Sequence, residues 1–88
     1  MALILATPEQ EKMTLEVLRL DLAPGQPSLS DLEEAVEAGE LADRGIGLTW
    51  GVDMAERQAA SSKRTCVVYD SAAQVVLWMV RPTEIVFH

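Results

Sequence analysis

The stretch that decides the fold is Thr65-Cys-Val-Val-Tyr69, followed by Asp70-Ser-Ala-Ala73 and Gln74-Val-Val-Leu-Trp-Met-Val80. Two runs rich in β-branched and aromatic residues, separated by a short segment of turn formers, predict two strands joined by a turn. All six residues from Val75 to Val80 are apolar, so the second strand is apolar on both faces. A strand of this kind is buried on both sides. We therefore expect a second copy of the chain to cover one of them, as a homodimer or tetramer.

Two capping boxes upstream predict two helices. Ser30-Asp-Leu-Glu33 opens a short acidic helix, and Asp53-Met-Ala-Glu56 opens a second helix that runs to about Ser62. Between them, Arg44-Gly-Ile-Gly-Leu-Thr-Trp50 is typical of a strand whose glycines permit close backbone approach. Residues 84–87 could pair as a short edge strand.

The segment from residue 8 to residue 22 carries two competing signals. Thr7-Pro-Glu-Gln10 resembles a helix start, with Thr as the N-cap and Pro at the first helical position. Leu18-Arg-Leu-Asp-Leu22 alternates with the period of a strand, which would make residues 2–6 the first strand of a hairpin. Pattern alone leaves both interpretations open.

The order of these elements indicates a small α+β fold of the ferredoxin-like kind. Residues 1–88 are too few for two domains, and the sequence contains no repeat and no clear linker. We expect one antiparallel or mixed sheet with two helices on one face.

The charge of the chain restricts its partners. The net charge is −7, and residues 1–44 account for all of it, with three bases against ten acids. Binding to duplex DNA through a basic surface is therefore disfavoured, although a local anion site in the second half stays open. The longest apolar run, six residues, is too short to cross a membrane. The sequence has one cysteine, Cys66, and one histidine, which cannot form an internal disulfide and are too few to ligate a structural zinc ion. Because nothing in this composition calls for an oxidising compartment, we expect a cytoplasmic protein.

Three positions in the second half could carry chemistry. Lys63 and Arg64, with Ser61 beside them, could receive the phosphate of a small nucleotide, or could serve only to offset a helix dipole. Trp50 and Gly51 could stack on an adenine and hold an anion, or could simply be packed residues. Asp70 could orient a water molecule or hold a metal ion, or could be a turn residue bonded to its own backbone.

The second half resembles the small CRISPR-associated Csx-three ring-nuclease family. The resemblance lies in Arg44–Gly51, the helix after it, Val68-Tyr69-Asp70 and the valine-rich strand 75–80. It implies a ferredoxin-like homo-oligomer that binds and cleaves cyclic tetra-adenylate in antiviral defence, and it makes a manganese cofactor an option. It also favours the hairpin interpretation of the N-terminal segment.

The residues that depart from this family leave a second hypothesis open. The arginine of the family's glycine-rich loop has no counterpart, Ser61 stands at the position of its helix-end histidine, and only Asp70 matches its acid. A divergent member with weak activity fits this pattern, with Asp70 as the catalytic residue. The alternative is a non-catalytic, homo-oligomeric interaction module whose acidic helix faces a partner. An acidic mimic of nucleic acid is a third hypothesis.

Overall fold

The computed structural model describes residues 6–23 and 25–82 of the chain. After a 3₁₀ turn over Gln10–Lys12, the elements are β1 (Thr14–Leu20), α1 (Leu29–Glu37), β2 (Glu40–Ile46), α2 (Leu48–Ser62), β3 (Thr65–Asp70) and β4 (Val75–Val80). The strands form one sheet in the order β2-β1-β3-β4, and all neighbours are antiparallel. The protein is thus a small α+β domain with two helices, compatible with a ferredoxin-like fold, as the sequence predicts.

Both signals in the N-terminal segment are real. The Thr7 N–H donates to Gln10 Oε1 (2.9 Å) and the Gln10 N–H donates to Thr7 Oγ1 (3.2 Å), which is the reciprocal bonding of a capping box. Only one 3₁₀ turn follows, because Met13 adopts extended backbone (ψ 140°) and leads directly into β1. The strand interpretation therefore holds from Thr14 to Leu20. Of the predicted first strand, residues 2–5 lie outside the described residues, as do 84–87.

The two helices pack against opposite faces of the sheet, not against one face as predicted. α2 lies on the face that carries Leu15, Val17, Cys66 and Val68, and α1 on the face of Leu18, Leu20 and Val67. The reason lies in β3, where three consecutive residues, Cys66 to Val68, have no exposed surface. Successive side chains of a strand point to opposite faces, so each face of this central strand needs its own cover.

Both helices begin earlier than their capping boxes predict. Ser28 caps α1, its Oγ accepting the Asp31 N–H at 3.1 Å. α2 begins after Gly47, whose φ of 100° suits glycine, so the predicted strand 44–50 ends at Ile46. Asp53 lies inside α2 and pairs with Arg57 four residues on, at 3.1 Å. The predicted end of this helix at Ser62 is confirmed.

β4 forms as predicted and lies at one edge of the sheet. It is only half-buried: Val75 keeps 45% and Met79 39% of its surface exposed. Among the described residues, no helix is long and apolar enough to cross a membrane.

Candidate functional site

The predicted basic pair lies where α2 ends and β3 begins. Lys63 adopts a left-handed backbone (φ 57°), and its N–H donates to the Ala59 carbonyl at 2.9 Å, which closes the helix. The Arg64 N–H donates to Ser62 Oγ at 3.2 Å, and the same hydroxyl donates to the Gln58 carbonyl at 2.6 Å. Side-chain and backbone hydrogen bonds therefore fix the turn, and Lys63 is exposed to solvent.

Arg64 and Arg19 converge on a single carboxylate, that of Glu40. Arg64 Nη1 lies 3.2 Å and Arg19 Nε 3.3 Å from Glu40 Oε2, and Arg19 Nη1 also donates to Gln58 Oε1 at 3.1 Å. The hydrogen bond and the charge of Arg64, with help from Arg19, lower the pKa of Glu40 below its ordinary value. The two positively charged guanidinium groups and the one carboxylate sum to a local charge of +1, although the chain as a whole is strongly acidic.

Sequence reasoning did not find Arg19 as a member of this cluster. The residue interrupts a mostly apolar strand and lies opposite Cys66 on β3. A charged residue within an apolar strand is the signal that could have identified it. The partners come from β1, β2, α2 and the turn before β3, so only the folded domain brings them together.

Asp70 occupies the last position of β3 and is buried. Its Oδ1 accepts the N–H groups of Ala72 (3.1 Å) and Ala73 (3.3 Å), so the carboxylate stabilises the turn to β4. This is the arrangement that an Asp at a turn is expected to make with its own backbone. One carboxylate oxygen is therefore already engaged by the turn.

Trp50 and Gly51 lie in the first turn of α2, not at the end of a strand as predicted. The Trp50 ring covers Gly45, where a Cβ would come within 2.7 Å of the ring. Gly51 is buried against Val68, and a Cβ there would lie 2.8 Å from Val68 Cγ1. Both residues are used in packing between α2 and the sheet.

The N-terminus of α2 already holds an anion from this chain. Glu11, in the 3₁₀ turn, accepts the Thr49 N–H at 2.9 Å and the Thr49 hydroxyl at 2.8 Å through one oxygen, Oε1. A carboxylate at this position satisfies helix donors that have no partner within the helix and interacts favourably with the helix dipole. The predicted anion site beside Gly51 is thus occupied by an acid 38 residues away in sequence from Thr49.

Apart from the two in α2, the predicted site residues fall into two groups at opposite ends of β3. Ser61, which is exposed, lies with Lys63 and Arg64 at the start of the strand, and Asp70 lies at its end. Five steps along a strand span about 17 Å. The groups that the resemblance would combine around one phosphate therefore do not converge within one copy of the chain.

Within residues 6–23 and 25–82, no three His, Cys, Asp or Glu side chains are close enough together to hold a metal ion, manganese included. A groove of about 500 Å³ lies between α1 and the segment after β1. The ionisable side chains that line it are Asp21, Asp31 and Glu34, and none of the predicted site residues does so. Three carboxylates make this groove unfavourable for a phosphate.

Neither a family model, nor a curated protein, nor a solved structure matches the chain.

Proposed function

We propose that this protein is a non-catalytic interaction module that assembles with copies of itself. The observation that carries the proposal is a set of large apolar side chains left exposed on the sheet. Leu41 (51% exposed), Ile46 (65%) and Met79 (39%) pair in register with Leu18, Thr14 and Val67.

Directly paired residues share a face, and Leu18 and Val67 belong to the face that α1 covers. The three exposed side chains therefore extend the apolar surface of that face beyond the helix. Leu41 and Met79 lie on opposite edge strands, and the ion pair of Glu16 with Arg44 lies between Leu41 and Ile46, so the three do not form one continuous patch. A partner that covers this face would bury all three.

The charges of α1 limit how two copies can meet. Its solvent-facing carboxylates lie on the same side of the sheet as the three exposed apolar side chains, and two such helices would repel each other. Contact between copies therefore involves the sheet beside the helix and not α1 itself. A lone, buried Cys66 fits a reducing compartment, and the proposal places the protein in the cytoplasm.

Size-exclusion chromatography with light-scattering detection, which measures the molar mass of the eluting protein, tests the proposal over a wide range of loading concentrations. We expect a mass of twice 9.6 kDa or a higher multiple, decreasing on dilution. A mass of 9.6 kDa at every concentration would show that the exposed side chains do not mediate self-association.

Binding of cyclic tetra-adenylate, with or without cleavage, is the second candidate. The observation that favours it is the pair of guanidinium groups of Arg19 and Arg64, since such groups bind phosphates through two parallel hydrogen bonds. The ligand would have to displace Glu40 from both arginines.

Titration of labelled cyclic tetra-adenylate with the protein, with and without manganese, tests this candidate. Arg64→Gln should abolish binding, and Arg57→Gln, which removes an equal charge from an exposed helix pair, should leave it unchanged. If the wild-type protein converts the ring to linear products and Asp70→Asn does not, the protein also cleaves the ligand, with Asp70 as the catalytic residue. Equal binding by both arginine variants would exclude the cluster as the site.

A further inference from the structure

The cluster of Arg19, Arg64, Glu40 and Gln58 holds more hydrogen-bond donors than its acceptors use. A guanidinium group carries five N–H donors and keeps its charge in proteins. Both groups contact the same oxygen of Glu40, and Gln58 accepts one further bond from Arg19. Within the part of the chain that the structure describes, Arg19 Nη2 and the Nε and Nη2 of Arg64 have no protein acceptor. The single carboxylate oxygen therefore leaves donors of both arginines unused.

The two arginines are held more firmly than the carboxylate between them. Arg19 projects from the interior strand β1, and its guanidinium group donates to Gln58 Oε1 on α2 at 3.1 Å. The side chains of Arg19 and Arg64 are 28% and 35% exposed, whereas that of Glu40, the first residue of edge strand β2, is 58% exposed. An exposed side chain can change rotamer without moving the backbone. Glu40 can therefore turn into solvent while the guanidinium groups stay in place.

The densest negative charge of the chain lies on the other side of the sheet. The helix α1 carries four carboxylates in nine residues and covers the face of Leu18 and Leu20. Arg19 contacts α2, so the arginine cluster lies on the opposite face. Lys63, next to Arg64 in the chain, is exposed to solvent. An anion that approaches from the α2 side therefore does not pass the acidic helix.

Charge decides which anion can replace Glu40 between the two arginines. A phosphate diester carries one negative charge, as a carboxylate does, so exchanging Glu40 for a diester gains no charge interaction. A phosphate monoester carries a charge of about −1.5 to −2 at neutral pH and offers three terminal oxygens. It balances both guanidinium groups and supplies acceptors for the donors that Glu40 leaves unused.

We propose that Arg19 and Arg64 form a binding site for a phosphate monoester, which displaces Glu40 from both arginines. The inference does not require self-association, and it rests on the second candidate above only for the place of the site. It differs from that candidate in ligand class, because the phosphates of cyclic tetra-adenylate are diesters. Glu40 belongs to the same chain, so it competes with the ligand at a high effective concentration.

A matched pair of esters tests the proposal by nuclear magnetic resonance. Phenyl phosphate is a monoester and methyl phenyl phosphate is the corresponding diester. Each is titrated into the full chain at constant ionic strength, because salt screens exposed charges. The Nε–H signals of Arg19 and Arg64 report on the site, and that of Arg57, on the exposed side of α2, is the internal control. Adenosine 5′-monophosphate and phosphoserine are titrated alongside, to show whether a nucleotide or a phosphorylated side chain is the better ligand.

Two glutamine substitutions separate competition by Glu40 from the effect of net charge. Glu40→Gln removes the competing carboxylate, and Glu33→Gln removes an equal charge from an exposed position of α1. We expect Glu40→Gln to tighten the binding of phenyl phosphate by about fivefold, since the two exposed ion pairs no longer have to be broken. Glu33→Gln should leave the affinity nearly unchanged, and Arg64→Gln should abolish binding.

In the wild-type protein we expect phenyl phosphate to shift the signals of both arginines, and methyl phenyl phosphate to bind about tenfold more weakly. Equal binding of the two esters, or equal affinity of wild type and Glu40→Gln, would overturn the proposal. If cyclic tetra-adenylate binds and phenyl phosphate does not, this inference fails while the second candidate stands. If neither compound shifts the two arginine signals, both fail.

Discussion

Replacing Gly51 by alanine should destabilise the protein, although alanine is the better helix residue. Gly51 lies in the first turn of α2, directly over β3. A methyl group there would lie 2.8 Å from Cγ1 of Val68, a distance at which one of the two must move. Val68 is short, branched at Cβ and completely buried, so it has no free rotamer into which it can turn.

The expected magnitude is the difference between two effects of opposite sign. Alanine in place of glycine stabilises a helix by at most about 1 kcal/mol. Forcing an additional methyl group into a close-packed core costs about 1–3 kcal/mol. We therefore expect Gly51→Ala to lower the free energy of unfolding by about 1 kcal/mol.

A double-mutant cycle with Val68→Ala isolates the steric part. Val68→Ala alone should cost about 2 kcal/mol, from two lost methyl groups and the cavity they leave. In that background the methyl group introduced at position 51 has room, so Gly51→Ala should become neutral or stabilising. The double variant is then more stable than the sum of the single changes predicts, by about 1 kcal/mol or more.

Urea unfolding followed by circular dichroism measures all three variants, at one protein concentration because self-association would otherwise shift the midpoints. Ala60→Gly, at an exposed position of the same helix, calibrates the helix contribution at about 1 kcal/mol. If Gly51→Ala raises the free energy of unfolding, and does so equally in the wild-type and the Val68→Ala backgrounds, the packing described for this interface is refuted.

Three further predictions concern ionisable groups. Folding lowers the pKa of Glu40, so the stability that this carboxylate contributes is present above its ordinary pKa and is lost as the pH falls through the lowered value. The difference in unfolding free energy between wild type and Glu40→Gln should therefore shrink on acidification. A difference that stays constant with pH would contradict the ion pairs. Burial raises the pKa of the Cys66 thiol and shields it from solvent. At neutral pH an alkylating reagent should therefore modify it only as fast as the protein unfolds locally or globally, and rapid labelling of the native protein would refute the burial. Glu11→Ala removes the acceptor of the Thr49 N–H and should lower the free energy of unfolding, measured by thermal denaturation, by about 1 kcal/mol. Glu9→Ala, at an exposed neighbouring position, should leave it almost unchanged. Equal effects of the two substitutions would argue against the cap.

Two patterns confined to neighbouring residues predicted the structure well, whereas the capping box at Ser30 was wrong by two residues, since Ser28 caps α1. The Thr7–Gln10 box forms its two bonds, and the β3–β4 hairpin appears within one residue of its predicted bounds. In each case the deciding interactions lie within a few residues of sequence, or depend on alternation along one strand.

Interactions between distant segments were not predictable in the same way. Asp53 carries a good local signal for a helix start, but the helix begins at Leu48 because Glu11, from a remote turn, supplies the cap. Arg19 meets Arg64 only because β1 and β3 are neighbours in the sheet. The candidate site therefore depended on the strand order, which no single segment of the sequence determines.

Sedimentation equilibrium of the wild-type protein tests the central claim most directly, since it reports mass without assuming a shape. We predict a gradient that fits a reversible association of 9.6 kDa chains into dimers or a higher multiple, with the assembly dominant at high concentration. A gradient that fits a single 9.6 kDa species at every concentration would contradict the proposal that this sheet is an interaction surface between copies of the chain.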